Sequence, residues 1–139
     1  MHTDKHGFSR KNDTSDSAKL LFEEETRKII GCAMSVLNEI GSGFSEKIYE
    51  NALCYEFALN KIPFAQQKAF PVIYKNRQVG KFIPDLVVFD RIIVDTKCVS
   101  AFCDEERAQI LNYLKATGLR VGMLINFKHS RLSWERLVL

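Results

Sequence analysis

Phe82-Ile83-Pro84-Asp85-Leu86-Val87-Val88-Phe89-Asp90-Arg91-Ile92-Ile93-Val94-Asp95-Thr96-Lys97 decides how this chain is read. The β-branched and apolar runs on either side of Asp90-Arg91 predict two strands joined by a short turn. A turn centred on Asp90 sets position 85 opposite position 95, where directly opposed Cβ atoms lie roughly 4.5–5.5 Å apart. Side chains alternate with a period of 2 along a strand, so Asp95 and Lys97 share a face. Asp85, Asp95 and Lys97 are therefore expected to converge.

Asp and Lys also decorate solvated strand faces, and an Asp95–Lys97 surface pair is the plain alternative. Here Val, Ile, Leu and Phe occupy both faces around the three residues, which predicts strands buried on two sides. Opposed carboxylates in such a setting repel and resist desolvation. Either one takes a proton or a cation holds both. The residues thus point to a place where a divalent metal and a phosphate meet.

The rest of the chain bounds this reading. Its 139 residues suit one domain with a sizeable core. A hydrophobic fraction of 46% and a charged fraction of 27% are those of an ordinary globule. No apolar run approaches the roughly 20 residues of a membrane span. Met1–Gly7 lacks the apolar centre of a signal peptide, so a cytoplasmic location is expected. A net charge of +3 permits a polyanionic partner without arguing for one. Cys32, Cys54, Cys98 and Cys103 form no CxxC pair and have no His at zinc-ligand spacing, so no metal cluster is expected of them.

Residues 1–19 are polar and are expected to form a disordered tail, leaving 20–139 as the domain. From Leu20, Ile29, Ile30, Ala33, Val36, Leu37 and Ile40 recur at helical spacing until Gly41-Ser42-Gly43. Ser45 then caps a second helix, which runs to about Asn60 before Pro63. Residues 64–74 read as a weak strand ending at the turn Lys75-Asn76-Arg77, and the hairpin follows Gly80. Asp104-Glu105-Glu106 opens a third helix that ends at Gly118. Val121–Phe127 is a buried strand, and Leu132–Leu139 a last edge strand. The expected order is α-α-β-β-β-α-β with a final strand, a central mixed sheet flanked by helices.

Other residues stand where they could join the hairpin. Glu46 opens the second helix, with Tyr49 three residues on; Gln109 and Tyr113 are four apart on the third helix. Arg107 and Lys115 on that helix could contact phosphates. Taken singly, each reads better as a first-turn acid, a core-edge aromatic or a solvated polar group; their value depends on the hairpin they flank.

Together these residues resemble the PD-(D/E)xK nuclease superfamily. Pro84-Asp85 matches its PD element and Asp95-Thr96-Lys97 its (D/E)xK element, with Asp95 in place of the more usual Glu. Gln109–Tyr113 resembles the QxxxY motif of the exonuclease branch related to RecB-type nucleases. Gly43-Phe44-Ser45-Glu46-Lys47-Ile48-Tyr49 is similar to the motif of the GxxExxY protein family, whose members are small and mainly bacterial. The likeness runs from about Glu24 to the C-terminus.

The resemblance implies an α/β (α+β) restriction-endonuclease-like core and a phosphodiester hydrolase using Mg²⁺ or Mn²⁺. Asp85, Asp95, Glu46 and the Thr96 backbone carbonyl would hold the metal, and Lys97 would be catalytic with Asp85, Asp95 and Glu46. Gln109, Tyr113 and Tyr49 would position substrate. The implied partner is nucleic acid, DNA ahead of RNA. A homodimer and a subunit of a larger complex both stay open, and no iron–sulfur cluster or membrane is implied. The competing class is a binding or protein-interaction module on the same fold.

Overall fold

The computed structural model describes residues 21–139 and the backbone of His2–Lys5. His2–Lys5 form β1; of the stretch expected to be a disordered tail, the remainder lies outside the described residues. Helix α1 spans Glu23–Ile40 and α2 Glu46–Leu59. Five strands follow: β2 Phe64–Gln66, β3 Phe70–Tyr74, β4 Arg77–Phe82, β5 Leu86–Val88 and β6 Ile92–Lys97. Helix α3 (Asp104–Thr117), β7 (Val121–Asn126) and β8 (Ser133–Val138) complete the described chain. This is the α/β arrangement of helices around a mixed sheet that the sequence predicts.

The main sheet runs β1-β8-β7-β6-β5-β2. Among the described strands only β6 and β7 pair in parallel, because α3 carries the chain from one end of β6 back to the start of β7. Strand parity divides the core. Ile92, Val94, Val121, Met123 and Ile125 face α1 and α2. Ile93, Leu124 and Leu137 face α3 through Ile110, Leu111 and Leu114. The central strands are therefore buried on both faces, as their unbroken apolar runs imply.

Several expectations are corrected. Residues 64–74 are two strands, broken where Gln67 takes a positive φ of 57°. The first piece, β2, pairs with β5; the second, β3, pairs with β4 as a separate two-stranded ribbon. Gly80 lies inside that ribbon, and the motif hairpin follows it as expected. β8 is not an edge strand, since β1 and β7 flank it. The turn between β5 and β6 is centred as expected: Val88 faces Ile92, and Arg91 N–H donates to the Val88 carbonyl at 3.1 Å. Phe89 and Asp90 both have positive φ, the type I′ geometry that matches the strand twist.

At Gly122 the sheet packs directly against Ile110 of α3. A Cβ there would lie 2.5 Å from Ile110 Cγ2, a methyl on a branched, fully buried side chain. Gly122→Ala is expected to cost about 1–3 kcal/mol through overpacking, read as a lower urea midpoint at unchanged slope.

Candidate metal and nuclease site

Pro84 has no N–H, and the pairing of β5 with β6 stops at Leu86–Val94. Asp85 follows Pro84 at a bend just before β5 and does not lie in the strand itself. Beyond that point β6 presents backbone groups that a longer β5 would have taken. Asp85 supplies the substitute: its Oδ2 accepts from the Thr96 N–H at 2.9 Å and from the Thr96 hydroxyl at 3.0 Å. In return, Asp95 Oδ1 accepts the Asp85 N–H at 3.0 Å. The two carboxylates are thus each clasped to the other residue's backbone segment. Their other oxygens, Asp85 Oδ1 and Asp95 Oδ2, take no hydrogen bond from the described residues.

Asp95 is only 6% exposed. Burial, then the charge of Asp85, pushes its carboxyl up to about 6. Asp85 is also raised, chiefly by burial and against the help of the Thr96 hydrogen bonds. Lys97 draws both carboxyls back toward ionisation. Its ammonium lies 4.0 Å from Glu106 Oε2 at the start of α3, a contact too long to lock it.

Those donors suit a hard divalent cation: two carboxylate oxygens free of protein partners, and a backbone carbonyl beside them. In a strand, a residue's N–H and C=O point to the same edge. Since the Thr96 N–H meets Asp85, the Thr96 carbonyl is turned to the same side. Mg²⁺ itself takes only one or two carboxylates and keeps several waters. Among the described residues no group of three or more His, Cys, Asp or Glu side chains gathers closely enough to hold a metal ion.

The helix carboxylates divide their work in a way the sequence did not reveal. Glu46 Oε2 accepts the Cys98 N–H at 2.9 Å, just past Lys97. Cys98 packs with the core on the α1–α2 side, whereas Asp95 has the parity of Ile93, which faces α3. The helix carboxylate whose charge acts on both Asp85 and Asp95 is Glu50, one turn further along α2. Glu50 is 3% exposed, and its Oε2 collects Gln66 Nε2 at 2.8 Å, Gln67 Nε2 at 2.9 Å and Lys47 Nζ at 3.2 Å. Gln67 also donates its N–H to the Asp85 carbonyl at 2.9 Å, so Glu50 braces the segment carrying the first aspartate. A lone Glu amid Tyr49, Asn51 and Ala52 gives no signal of this; β2 brings its partners to it.

Tyr49, expected beside substrate, lies inside the core at 0% exposure. Its ring stacks on Phe127 at 4.6 Å. Its hydroxyl donates to the Gly41 carbonyl at 2.6 Å and accepts the Phe44 N–H at 3.2 Å. Gly43, at φ 113°, provides the backbone this knot needs. Gly43, Glu46 and Tyr49 together tie the start of α2 to the end of β6.

Tyr113 on α3 is half-buried and stacks on Phe82 at 4.3 Å. Burial and the charges of Asp95 and Asp85 raise its hydroxyl, which places it near the pair. Gln109 is exposed beside Val99 and Glu106 in a shallow hollow. Arg107, considered as a phosphate contact, is instead engaged with Glu135 at 2.7 and 2.8 Å and with Asp104 at 2.8 Å. All four cysteines are free thiols. No helix among the described residues is long and apolar enough to cross a membrane.

No curated protein and no solved structure matches the chain. Residues 23–137, which contain every element of the site, match a family model described as the PD-(D/E)XK nuclease superfamily. On that match, this chain belongs to the PD-(D/E)XK nuclease superfamily.

Proposed function

We propose that the protein is a metal-dependent nuclease that hydrolyses phosphodiester bonds in DNA, with Asp85, Asp95 and Lys97 at its centre. The observation that carries this reading is the clasped aspartate pair: two carboxylates raised by burial, each fixed through one oxygen and open at the other. A fold keeps such a costly pair where a cation offsets the repulsion. Asp85, Asp95 and the Thr96 carbonyl would hold Mg²⁺ or Mn²⁺, which when bound lowers the pKa of a coordinated water and neutralises phosphate charge.

Lys97 is the cation of the chain itself at the site. In this reading it donates to a non-bridging phosphate oxygen as charge builds there, or orients the attacking water. Tyr113, held by its stack on Phe82, and Gln109 one turn earlier line the approach along α3 and position the nucleic-acid backbone. Glu50 adds a negative charge near the aspartates and braces Gln66 and Gln67. Glu46 acts from outside as a positioning residue, holding the strand end that carries Lys97. The knot of Gly43, Glu46 and Tyr49 supports a place for the chain in the GxxExxY branch.

The test is cleavage of single- and double-stranded DNA and RNA in Mg²⁺, Mn²⁺ or EDTA. Lys97→Ala is expected to lower the rate about 10²–10³-fold, the loss typical of one preorganised donor. Cleavage that persists in EDTA, or at full rate in Lys97→Ala, would sink the mechanism. Tight binding with no cleavage in any metal would favour the binding-module class.

A further inference from the structure

We propose that the β3–β4 ribbon is an arm that grips B-form DNA by entering its major groove beside the cleavage site. The inference deepens the nuclease reading and rests on it for the direction from which DNA arrives. Residues 67–84 carry Lys68, Lys75, Arg77 and Lys81 and no Asp or Glu. That +4 exceeds the +3 of the whole chain, which leaves the remainder net negative. A polyanion is therefore drawn to this ribbon ahead of other surfaces.

Among the described residues the ribbon's anchor is at its base. Phe70 and Phe82 stack at 5.5 Å, and Phe82 stacks in turn on Tyr113 of α3. Toward the tip every side chain is open: Ile73 is 57% exposed, Tyr74 61% and Val79 60%. Val79 is the extra residue of a bulge, since Val72 faces Gly80 and Ile73 faces Gln78. Bulges strengthen the local twist and protect an edge from pairing with another strand. The tip turn, Lys75 and Asn76 at positive φ, is tight and adds no bulk.

Size selects the partner. A two-stranded ribbon fits the roughly 12 Å major groove of B-DNA, whereas the A-form major groove of duplex RNA is too narrow for side-chain entry. Five residues of strand reach about 17 Å, near half a turn of duplex. Lys75, Arg77 and Lys81 would meet phosphates on the groove walls. Ile73, Tyr74 and Val79 offer apolar contact to thymine methyls. Phe82 lies three residues before Asp85, so a duplex on the arm passes the aspartate pair.

The experiment is fluorescence anisotropy in EDTA, where nothing is cut, with a labelled 20-bp DNA duplex, its single strand and an RNA duplex over a salt series. Lys75→Gln/Arg77→Gln/Lys81→Gln is expected to weaken duplex-DNA binding at least about tenfold and to flatten the log–log salt slope by about 2–3. A charge-matched control, Lys28→Gln/Lys61→Gln/Arg131→Gln, should move the slope by less than about one unit. A second variant joins Val72 to Gly80 through Asn-Gly, which removes Lys75 and Arg77 but keeps Lys81, and must flatten the slope by about 2, with circular dichroism verifying the fold of each protein. Equal losses in arm and control variants would overturn the proposal. So would equal arm dependence on single strands or RNA, absence of duplex binding by the unaltered chain, or a doubled mass in sedimentation that Ile73→Ser/Val79→Ser abolishes. Because binding is read without turnover, a chain that cleaves nothing leaves the arm result intact. A nuclease whose arm variants bind like the parent overturns the arm alone.

Discussion

Asp95→Asn is expected to raise the melting temperature of the metal-free protein by several degrees at pH 7.5 while abolishing metal-dependent cleavage. Its carboxyl titrates near 6 in the folded chain against a reference value of 3.8. The folded state therefore holds the proton more tightly than the unfolded one. The penalty for ionising Asp95 is absent below about pH 4, grows as pH rises through 4 to 6, and is complete above about 6. At roughly 1.4 kcal/mol per pH unit it amounts to about 3 kcal/mol at neutral pH. Asn keeps the oxygen that accepts the Asp85 N–H and removes the charge, so most of that penalty is relieved. For a chain of this size each kcal/mol moves the midpoint by roughly 3–5 °C.

The check is thermal unfolding in EDTA from pH 5 to 8. The parent protein should lose stability as pH rises toward 7 more steeply than the Asn variant, whose own curve lacks this contribution. Adding Mg²⁺ should stabilise the parent, by about 2.7 kcal/mol at a hundred times its Kd, and leave the variant unmoved. An Asn variant less stable than the parent at pH 7.5 would show that Asp95 is held for structure and would remove the stored cost on which the site argument rests.

Exchanging the two helix acids is expected to separate their roles. Glu50→Gln should lower turnover about 10–100-fold, because the field on Asp85 and Asp95 changes and one side chain can no longer accept from Gln66, Gln67 and Lys47 together. It should also cost about 1–3 kcal/mol, since the buried Glu50 side chain loses the charge that holds the Gln66 and Gln67 amides and the Lys47 ammonium. Glu46→Gln retains an oxygen for the Cys98 N–H and should change turnover less than about threefold and stability by less than about 1 kcal/mol. Steady-state rates and urea midpoints read both. The reverse pattern, with Glu46→Gln the more damaging to rate at unchanged stability, would return Glu46 to the metal site.

The helices were legible because each carries its own signals: the apolar spacing from Ile29 to Leu37, Ser45 at the N-cap position although its side chain makes no cap bond, the acidic first turn at Asp104, the positive-φ glycines at Gly41 and Gly118. The β5–β6 register was legible because a two-sided apolar hairpin with a centred turn has one consistent pairing. The separate ribbon was not. The break at Gln67 depends on a positive φ that its side chain does not announce, and on partners that come from β5. Nor was the setting of β8, which depends on a strand formed more than a hundred residues earlier.

The same division runs through the site. The sequence by itself placed Asp85 against Asp95 and put Lys97 on the face of Asp95, because strand period and turn position are local properties of a short hairpin. Only the tertiary structure decided how Asp85 turns into the gap left by Pro84, that Tyr49 is a core knot, and that the charge of Glu50 reaches both aspartates. Those depend on where α2, β2 and the end of β5 stop relative to one another. Packing sets that three-dimensional coincidence, and no spacing along the chain encodes it.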